Sequence, residues 1–228
     1  MILRTLLAGL LAVTLAACGG DDAVATDAPP ADDVSTAGTL VDAPAIAAGT
    51  YAIDASHSRA EFRVRHLGIS TVSGTFSDLS GTVTVGDGLG SLAATAVIDA
   101  STISTENDDR DDHLRSADFF DVAQYPEITF TSTGVRPGDG GTFTLLGDLT
   151  MHGVTRPIEL ETEYVGAATS PQGVEKVAFT AEAEINRADW GLTWNAPLEA
   201  GGVVVSDEVT LRLDIEADRQ AEAAAPDA

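Results

Sequence analysis

Apolar and polar residues alternate with a period of two along several stretches of this chain. The clearest alternation lies at residues 177–185, 209–215, 60–64 and 158–160. Alternation of this kind is typical of β-strands that bury one face. Weaker alternation predicts further strands at residues 75–85, 92–98, 127–135 and 142–151. Clusters rich in Gly, Asp and Pro at 86–88, 137–141 and 170–173 separate these segments and suit hairpin turns.

Eight or more strands with short connections predict an all-β domain. The pattern by itself does not separate a sandwich from a closed barrel. A helical pattern occurs once, at residues 107–120, where Leu114, Phe119 and Phe120 stand among polar side chains. Because two adjacent phenylalanines cannot both point inward from one helix face, this pair is a candidate for ligand contact.

The N-terminus has the pattern of an export signal. Arg4 precedes an apolar run at residues 5–17, which is shorter than the ~20 residues that cross a bilayer but is typical of a signal peptide. The run ends in Leu15-Ala16-Ala17-Cys18, which resembles a bacterial lipobox. Cys18 is the only cysteine, and acylation would explain an unpaired thiol in an exported protein. The alternative is an ordinary signal with a chance cysteine.

These features predict four segments. Residues 1–17 are a lipoprotein signal peptide, 18–49 a lipidated cysteine with a disordered acidic tether, 50–216 the folded domain, and 217–228 a disordered acidic tail. The expected location is the periplasmic side of the cell envelope, anchored in the membrane through acyl chains. The outer membrane is favoured because Gly19, not aspartate, follows the cysteine.

The charge of the domain excludes one class of partner. Residues 50–215 hold 26 acidic and 10 basic side chains, a net charge of −16. Such a field repels phosphate backbones and anionic lipid surfaces, so nucleic-acid binding is not expected.

Ordered motifs along the domain resemble the YceI-like family from residue 51 to residue 215. They include Tyr51-Ala52-Ile53-Asp54, Phe62-Arg63-Val64-Arg65-His66-Leu67-Gly68, Gly74-Thr75-Phe76, Arg110-Asp111-Asp112-His113-Leu114, Asp118-Phe119-Phe120-Asp121, Tyr125-Pro126-Glu127-Ile128 and Val205-Ser206-Asp207-Glu208-Val209. The resemblance implies an extended, eight-stranded, antiparallel, lipocalin-like barrel with short helices near one mouth. It also implies binding of a polyisoprenoid, an isoprenoid quinone or another long apolar amphiphile, for carriage, storage or sequestration.

A small barrel is either filled by its own side chains or leaves room for one ligand. Small residues at inward positions (Ala94, Ala96, Ala181 and Ala183) favour the second case, although tight packing is the alternative for each. The candidate ligand-binding residues are Phe62, Val64, His66, Phe76, His113, Phe119, Phe120, Phe130, Met151, Trp190 and Trp194. Tail length is expected to set the affinity, and the negative domain favours a neutral head such as a quinone over a polyprenyl phosphate.

Polar residues in the helical region leave other functions open. His66, His113 and His152 lack the spacing of a metal site and are expected to bind loops, or to anchor a head group beside Asp109 or Asp112. Arg110 and Arg115 are expected to pair with nearby aspartates. No cofactor, metal or catalytic residue is predicted. An enzyme acting on an isoprenoid or a sugar, a ligand-free envelope stress or structural protein, and a homodimer remain alternatives.

Overall fold

The computed structural model describes residues 45–199 and 201–221. The predicted signal peptide, Cys18, most of the predicted tether and the end of the predicted acidic tail lie outside these residues. Within the described ranges, no helix combines the length and the apolar character needed to cross a bilayer.

The described residues form eleven strands, one α-helix and two 3₁₀-helices. The strands are β1 Gly49–Ile53, β2 Arg59–His66, β3 Ser70–Phe76, β4 Leu79–Gly86, β5 Gly88–Asp99, β6 Ile103–Ser104, β7 Glu127–Pro137, β8 Thr142–Met151, β9 Val154–Thr169, β10 Glu175–Asn186 and β11 Val205–Arg219. The α-helix, α1, is Asp108–Arg115, and the 3₁₀-helices are Ala100–Thr102 and Arg187–Trp190.

Eight strands close into an antiparallel ring in the order β1-β4-β5-β7-β8-β9-β10-β11, because β1 pairs with both β4 and β11. Strand β11 is long enough to pair with β1 near its C-terminal end and with β2 over its N-terminal half. From β2 the sheet continues through β3 to the short β6. The predicted eight-stranded barrel with short helices is confirmed, and closure leaves few free strand edges.

The sequence predicted some boundaries incorrectly. The stretch at 75–85 belongs to two strands, because Ser77 and Asp78 leave the strand conformation between β3 and β4. The barrel is longer than residues 50–216: Ile46 is buried, and β11 continues to Arg219 with Ala217 fully buried. Pairing of Ala217 with Ile53 holds these residues in the wall of the barrel, not in the tail.

The helix is shorter than the predicted 107–120. The Asn107 side chain accepts a hydrogen bond from Arg110 N at 2.9 Å and so caps the start of α1. The helix ends at Arg115, where Ser116 has extended backbone angles. Phe119 and Phe120 therefore lie in the turns that follow the helix. Outside a helix, two adjacent side chains can both point inward.

Candidate functional site

The inward faces of the strands and the segment after α1 enclose a cavity of about 180 Å³. Its lining comes from strands on all sides of the barrel and from the mouth. Of the 25 lining residues, all are apolar except Glu61 and Arg187. Glu61 directs a carboxylate oxygen to Arg63 Nε at 2.6 Å, and Arg187 is used in loop contacts. The cavity thus offers almost no hydrogen-bonding group to a ligand, which favours a hydrocarbon occupant.

The wall contributed by β11 shows why this region is hollow. Leu211, Leu213 and Ile215 point into the cavity, yet each is only partly buried. Ala96 on β5 also lines it with a single methyl group. Of the other small residues predicted to face inward, Ala181 is 7% exposed and belongs to the packed core, as the tight-packing alternative proposed.

Aromatic side chains fill the end of the barrel away from α1. Phe179 packs against Phe143 and Tyr164, with ring centroids 6.4 Å and 5.4 Å apart. Tyr51 is 1% exposed and donates its hydroxyl hydrogen to Ala47 O at 2.8 Å. The cavity is therefore confined to the half of the barrel nearer to α1.

Phe119 and Phe120 both reach the cavity from the turns after α1. The amide of Phe119 donates to Ser116 O at 3.0 Å and that of Phe120 to Leu114 O at 3.0 Å. These bonds fold the segment back over the barrel. Phe120 meets Phe76 edge to face at 5.8 Å, and it is only partly buried. The two phenylalanines form the roof of the cavity.

A second aromatic layer lies outside this roof. The His113 ring meets Phe119 at 5.0 Å and Trp194 at 4.8 Å, both edge to face, and Trp194 lies 5.2 Å from Phe119. His113 Nε2 is 3.0 Å from Asp118 Oδ2. His113 and Trp194 therefore support Phe119 and do not line the cavity themselves.

Seven of the eleven residues predicted to bind ligand line the cavity: Phe62, Val64, Phe76, Phe119, Phe120, Phe130 and Met151. Four do not. Besides His113 and Trp194, these are His66, at the end of β2, and Trp190, which is 2% exposed and donates Nε1–H to Leu149 O at 3.1 Å. Whether any of the eleven binds a ligand stays a prediction.

The lining residues of β11 were not among the predicted ligand-binding residues, although their period-two alternation identified the strand. The alternation alone does not show which strands face the hollow half of the barrel. Leu211, Leu213 and Ile215 are the main examples.

Asp111 and Asp112, neighbours on α1, bind different partners. Asp111 is buried and accepts hydrogen bonds from Thr105 N at 2.9 Å and Thr105 Oγ1 at 2.5 Å. Asp112 is exposed and pairs with Arg115 at 3.1 Å, as predicted. Arg110 was expected to pair with an aspartate, but its Nε donates to Thr105 Oγ1 at 2.6 Å. The Thr105 contacts tie α1 to the chain after β6, and the Asp111 and Asp112 carboxylates have separate partners.

His152 binds a loop, as expected. Its Nδ1 is 3.0 Å from Trp190 O, and its ring packs on Tyr125 with centroids 4.9 Å apart. These contacts attach the second 3₁₀-helix to the turn between β8 and β9.

Arg187 organises the loop between that 3₁₀-helix and β11. The residue is 4% exposed, and its guanidinium donates to the carbonyl oxygens of Leu192 at 2.5 Å, Trp194 at 2.9 Å and Ser206 at 3.0 Å. It also pairs with Asp207 at 2.9 Å. Burial lowers the pKa of Arg187, and the nearby Asp207 carboxylate partly offsets this.

A charged network joins β1, β10 and β11 near the other end of the barrel. Lys176 Nζ lies 3.1 Å from Asp54, 2.8 Å from Glu216 and 2.5 Å from Asp218. Asp54, His57 and Glu216 also bring three potential metal-ligand atoms within 4.8 Å of one another. The Lys176 ammonium already binds the Asp54 and Glu216 carboxylates, in the place that a cation would take, so the cluster does not support a metal site.

Hydrogen bonds from Ser56, His57 and Lys176 hold the pKa of Asp54 well below its usual 3.8. A carboxylate with a depressed pKa stabilises the fold above about pH 4, and that contribution is lost as the pH falls toward the folded-state value. We therefore expect Lys176→Met to lower the melting temperature at pH 7, and the difference from the parent protein to shrink toward pH 2. Thermal unfolding between pH 2 and pH 8 measures this, and a difference that does not depend on pH would contradict it.

The size of the cavity limits what it can hold. An apolar cavity of ~150 Å³ is large enough for one benzene molecule. The 180 Å³ here therefore holds about one isoprene unit.

Comparison with known proteins agrees with this architecture. The model of the YceI-like domain matches residues 51–217. The chain belongs to the YceI-like family. Protein YceI of Escherichia coli O6:H1 is 38% identical over 176 residues, which cover 76% of this chain and 88% of the relative.

Solved structures show the same YceI-like barrel. The crystal structure of the Campylobacter jejuni YCEI protein is 31% identical, superimposes with a TM-score of 0.60, and matches 69% of this chain and 90% of that one. A polyisoprenoid binding domain from Saccharophagus degradans, implicated in plant cell wall breakdown, has a TM-score of 0.56 at 21% identity, over 75% of this chain and 98% of that one. At that identity the likeness shows the fold alone.

Proposed function

We propose that this protein binds the apolar tail of an isoprenoid amphiphile, a polyisoprenoid or an isoprenoid quinone, in the cavity beneath Phe119 and Phe120. The observation that carries the proposal is the 180 Å³ cavity, in which 23 of the 25 lining residues are apolar. The protein acts by binding and not by catalysis. The polyisoprenoid-binding domain with the same fold supports the choice of ligand class.

The energetics require more contact than the cavity alone offers. Burying an isoprene unit yields roughly 3–4 kcal/mol at ~0.8 kcal/mol per carbon group, whereas association costs ~4 kcal/mol or more. One unit does not provide a useful affinity. A bound tail therefore extends past the cavity as it stands, and the partly buried Phe120 is the roof residue that moves to admit further units.

The head group remains outside the apolar lining, where the net charge of −16 on residues 50–215 acts on it. This charge favours a neutral quinone head over a polyprenyl phosphate. We further propose that the protein is exported and acylated at Cys18, and that it holds or carries its ligand on the periplasmic side of the envelope, in the outer membrane where the host has one. The apolar run ending in Leu15-Ala16-Ala17-Cys18 supports this location.

Mass spectrometry of a solvent extract tests the proposal directly. The full chain, purified from a bacterial envelope under mild conditions, should release an isoprenoid lipid in amounts approaching one molecule per chain. Adding a quinone to the extracted protein should then change the tryptophan emission, because Trp194 lies against Phe119 of the roof. An extract without isoprenoid, together with unchanged emission on titration, would refute the proposed function.

A further inference from the structure

Three exposed apolar side chains cluster beside the candidate cavity. Leu67, Ile69 and Val203 are 39%, 82% and 46% exposed. Leu67 and Ile69 belong to the turn between β2 and β3, and Val203 to the loop that precedes β11. The amide of Leu67 donates to Val204 O at 2.8 Å, so the turn and the loop are held together. We call these three residues the apolar tip.

The conformation of the turn gives no folding reason for its leucine. Leu67 and Gly68 have φ angles of 55° and 71°, and the amide of Ile69 donates to His66 O at 3.2 Å. A β-turn whose two central residues both have positive φ angles prefers Asn-Gly or Asp-Gly, and a large side chain is disfavoured there. The fold thus keeps an exposed apolar residue at a position where a polar residue would fit better.

The tip lies close to the cavity along the chain. Val64, three residues before Leu67, and Val205, two residues after Val203, both line it. A molecule that left the cavity beside these valines would pass next to the tip.

The geometry points to one occupant: we propose that the apolar tip inserts into the surface of a neutral lipid bilayer. Three side chains cannot provide the ~800 Å² per partner that a standard protein interface buries, but a few apolar side chains are enough for shallow contact with a bilayer. The net charge of −16 on residues 50–215 opposes approach to anionic lipids, so the surface is a neutral or zwitterionic one.

This inference does not depend on the identity of a cavity ligand. A role for the tip in guiding a ligand between bilayer and cavity would rest on the proposed function. The contact of the tip with the bilayer does not rest on it. Bilayer contact can be measured with vesicles that contain no isoprenoid, so it can fail or succeed independently of isoprenoid binding in the cavity.

An environment-sensitive fluorophore on a single cysteine reports the contact. The full chain carries Cys18→Ser and either Ile69→Cys or, as a matched control, Val165→Cys; Val165 is also apolar and 61% exposed, but lies on β9 close to the turn that leads to β10. Any binding of the N-terminal segment to the vesicles is the same in both labelled chains. With phosphatidylcholine vesicles, the emission at position 69 should shift to shorter wavelength and be quenched by brominated acyl chains, while position 165 should show neither effect.

A second labelled chain separates contact from changes in folding. With the label at Val203→Cys, adding Leu67→Asn should reduce the shift, because asparagine suits the positive φ angle and keeps the turn but removes apolar surface. Equal behaviour of positions 69 and 165 would overturn the proposal. So would a stronger shift on anionic vesicles. A concentration-dependent shift without vesicles would instead assign the tip to a second copy of the chain and also overturn it.

Discussion

Replacing Arg187 with alanine should lower the free energy of unfolding by about 3–4 kcal/mol. The guanidinium is buried and donates to three carbonyl oxygens, one of which belongs to the buried Leu192. Each buried acceptor left without a partner costs about 1–3 kcal/mol, and the packing of the side chain is lost as well. Chemical denaturation measures the change, and faster proteolysis of the loop before β11 should accompany it.

Two further variants test whether the loss of stability comes from the hydrogen bonds of the Arg187 guanidinium. Arg187→Lys keeps the charge but lacks the planar fork that serves several acceptors at once, so its stability should fall between those of the parent and the alanine variant. Arg212→Ala removes an exposed arginine whose pair with Glu182 is 3.3 Å long, and should cost less than about 1 kcal/mol. A loss for Arg187→Ala no larger than that for Arg212→Ala would show that the loop does not depend on this residue.

The strands could be predicted from the sequence because their signal is local. Alternation in 177–185 and 209–215 reports one buried face, and β10 and β11 contain these stretches. Closure into a barrel could not be read from alternation, since a sandwich needs the same pattern. The ordered motifs of the family supplied that step.

The roof and its support could be predicted only in part, because they depend on contacts between distant segments. Trp190 was expected at the ligand, but its indole nitrogen binds Leu149 O, 41 residues away in sequence. His113 was considered for a polar head group, but its ring lies against Trp194 from the loop before β11. The position of such a side chain is set by where two loops meet, which no local periodicity records.

The charged cluster around Lys176 also depends on contacts between segments that are distant in sequence. Its ammonium binds Asp54, which is 122 residues distant, and Asp218, which is 42 residues distant. In the sequence Lys176 is notable only as the single lysine of the chain. Strand pairing between β1, β10 and β11 places the three charges together.

Filling the cavity should remove ligand binding without unfolding the barrel, and Ala96→Phe is the variant that does so. Its phenyl ring has the size of benzene, which occupies a cavity of ~150 Å³, so it would take up most of the 180 Å³ available. Excluding about one isoprene unit costs roughly 3–4 kcal/mol, and every 1.4 kcal/mol is a factor of ten. We therefore expect the affinity for an isoprenoid quinone to fall by about 100-fold or more, as measured by titration of tryptophan emission.

The same strand offers a matched control. Ala93→Phe adds the same ring at an exposed position of β5, and should leave the affinity within about two-fold of the parent, since surface changes away from the cavity have small effects. Ala96→Phe should also melt no lower than the parent, because the new ring fills existing space instead of displacing packed atoms. Unchanged affinity in a folded Ala96→Phe protein would mean that the ligand does not enter the barrel. Equal losses in both variants would mean that the titration reports adsorption to the surface.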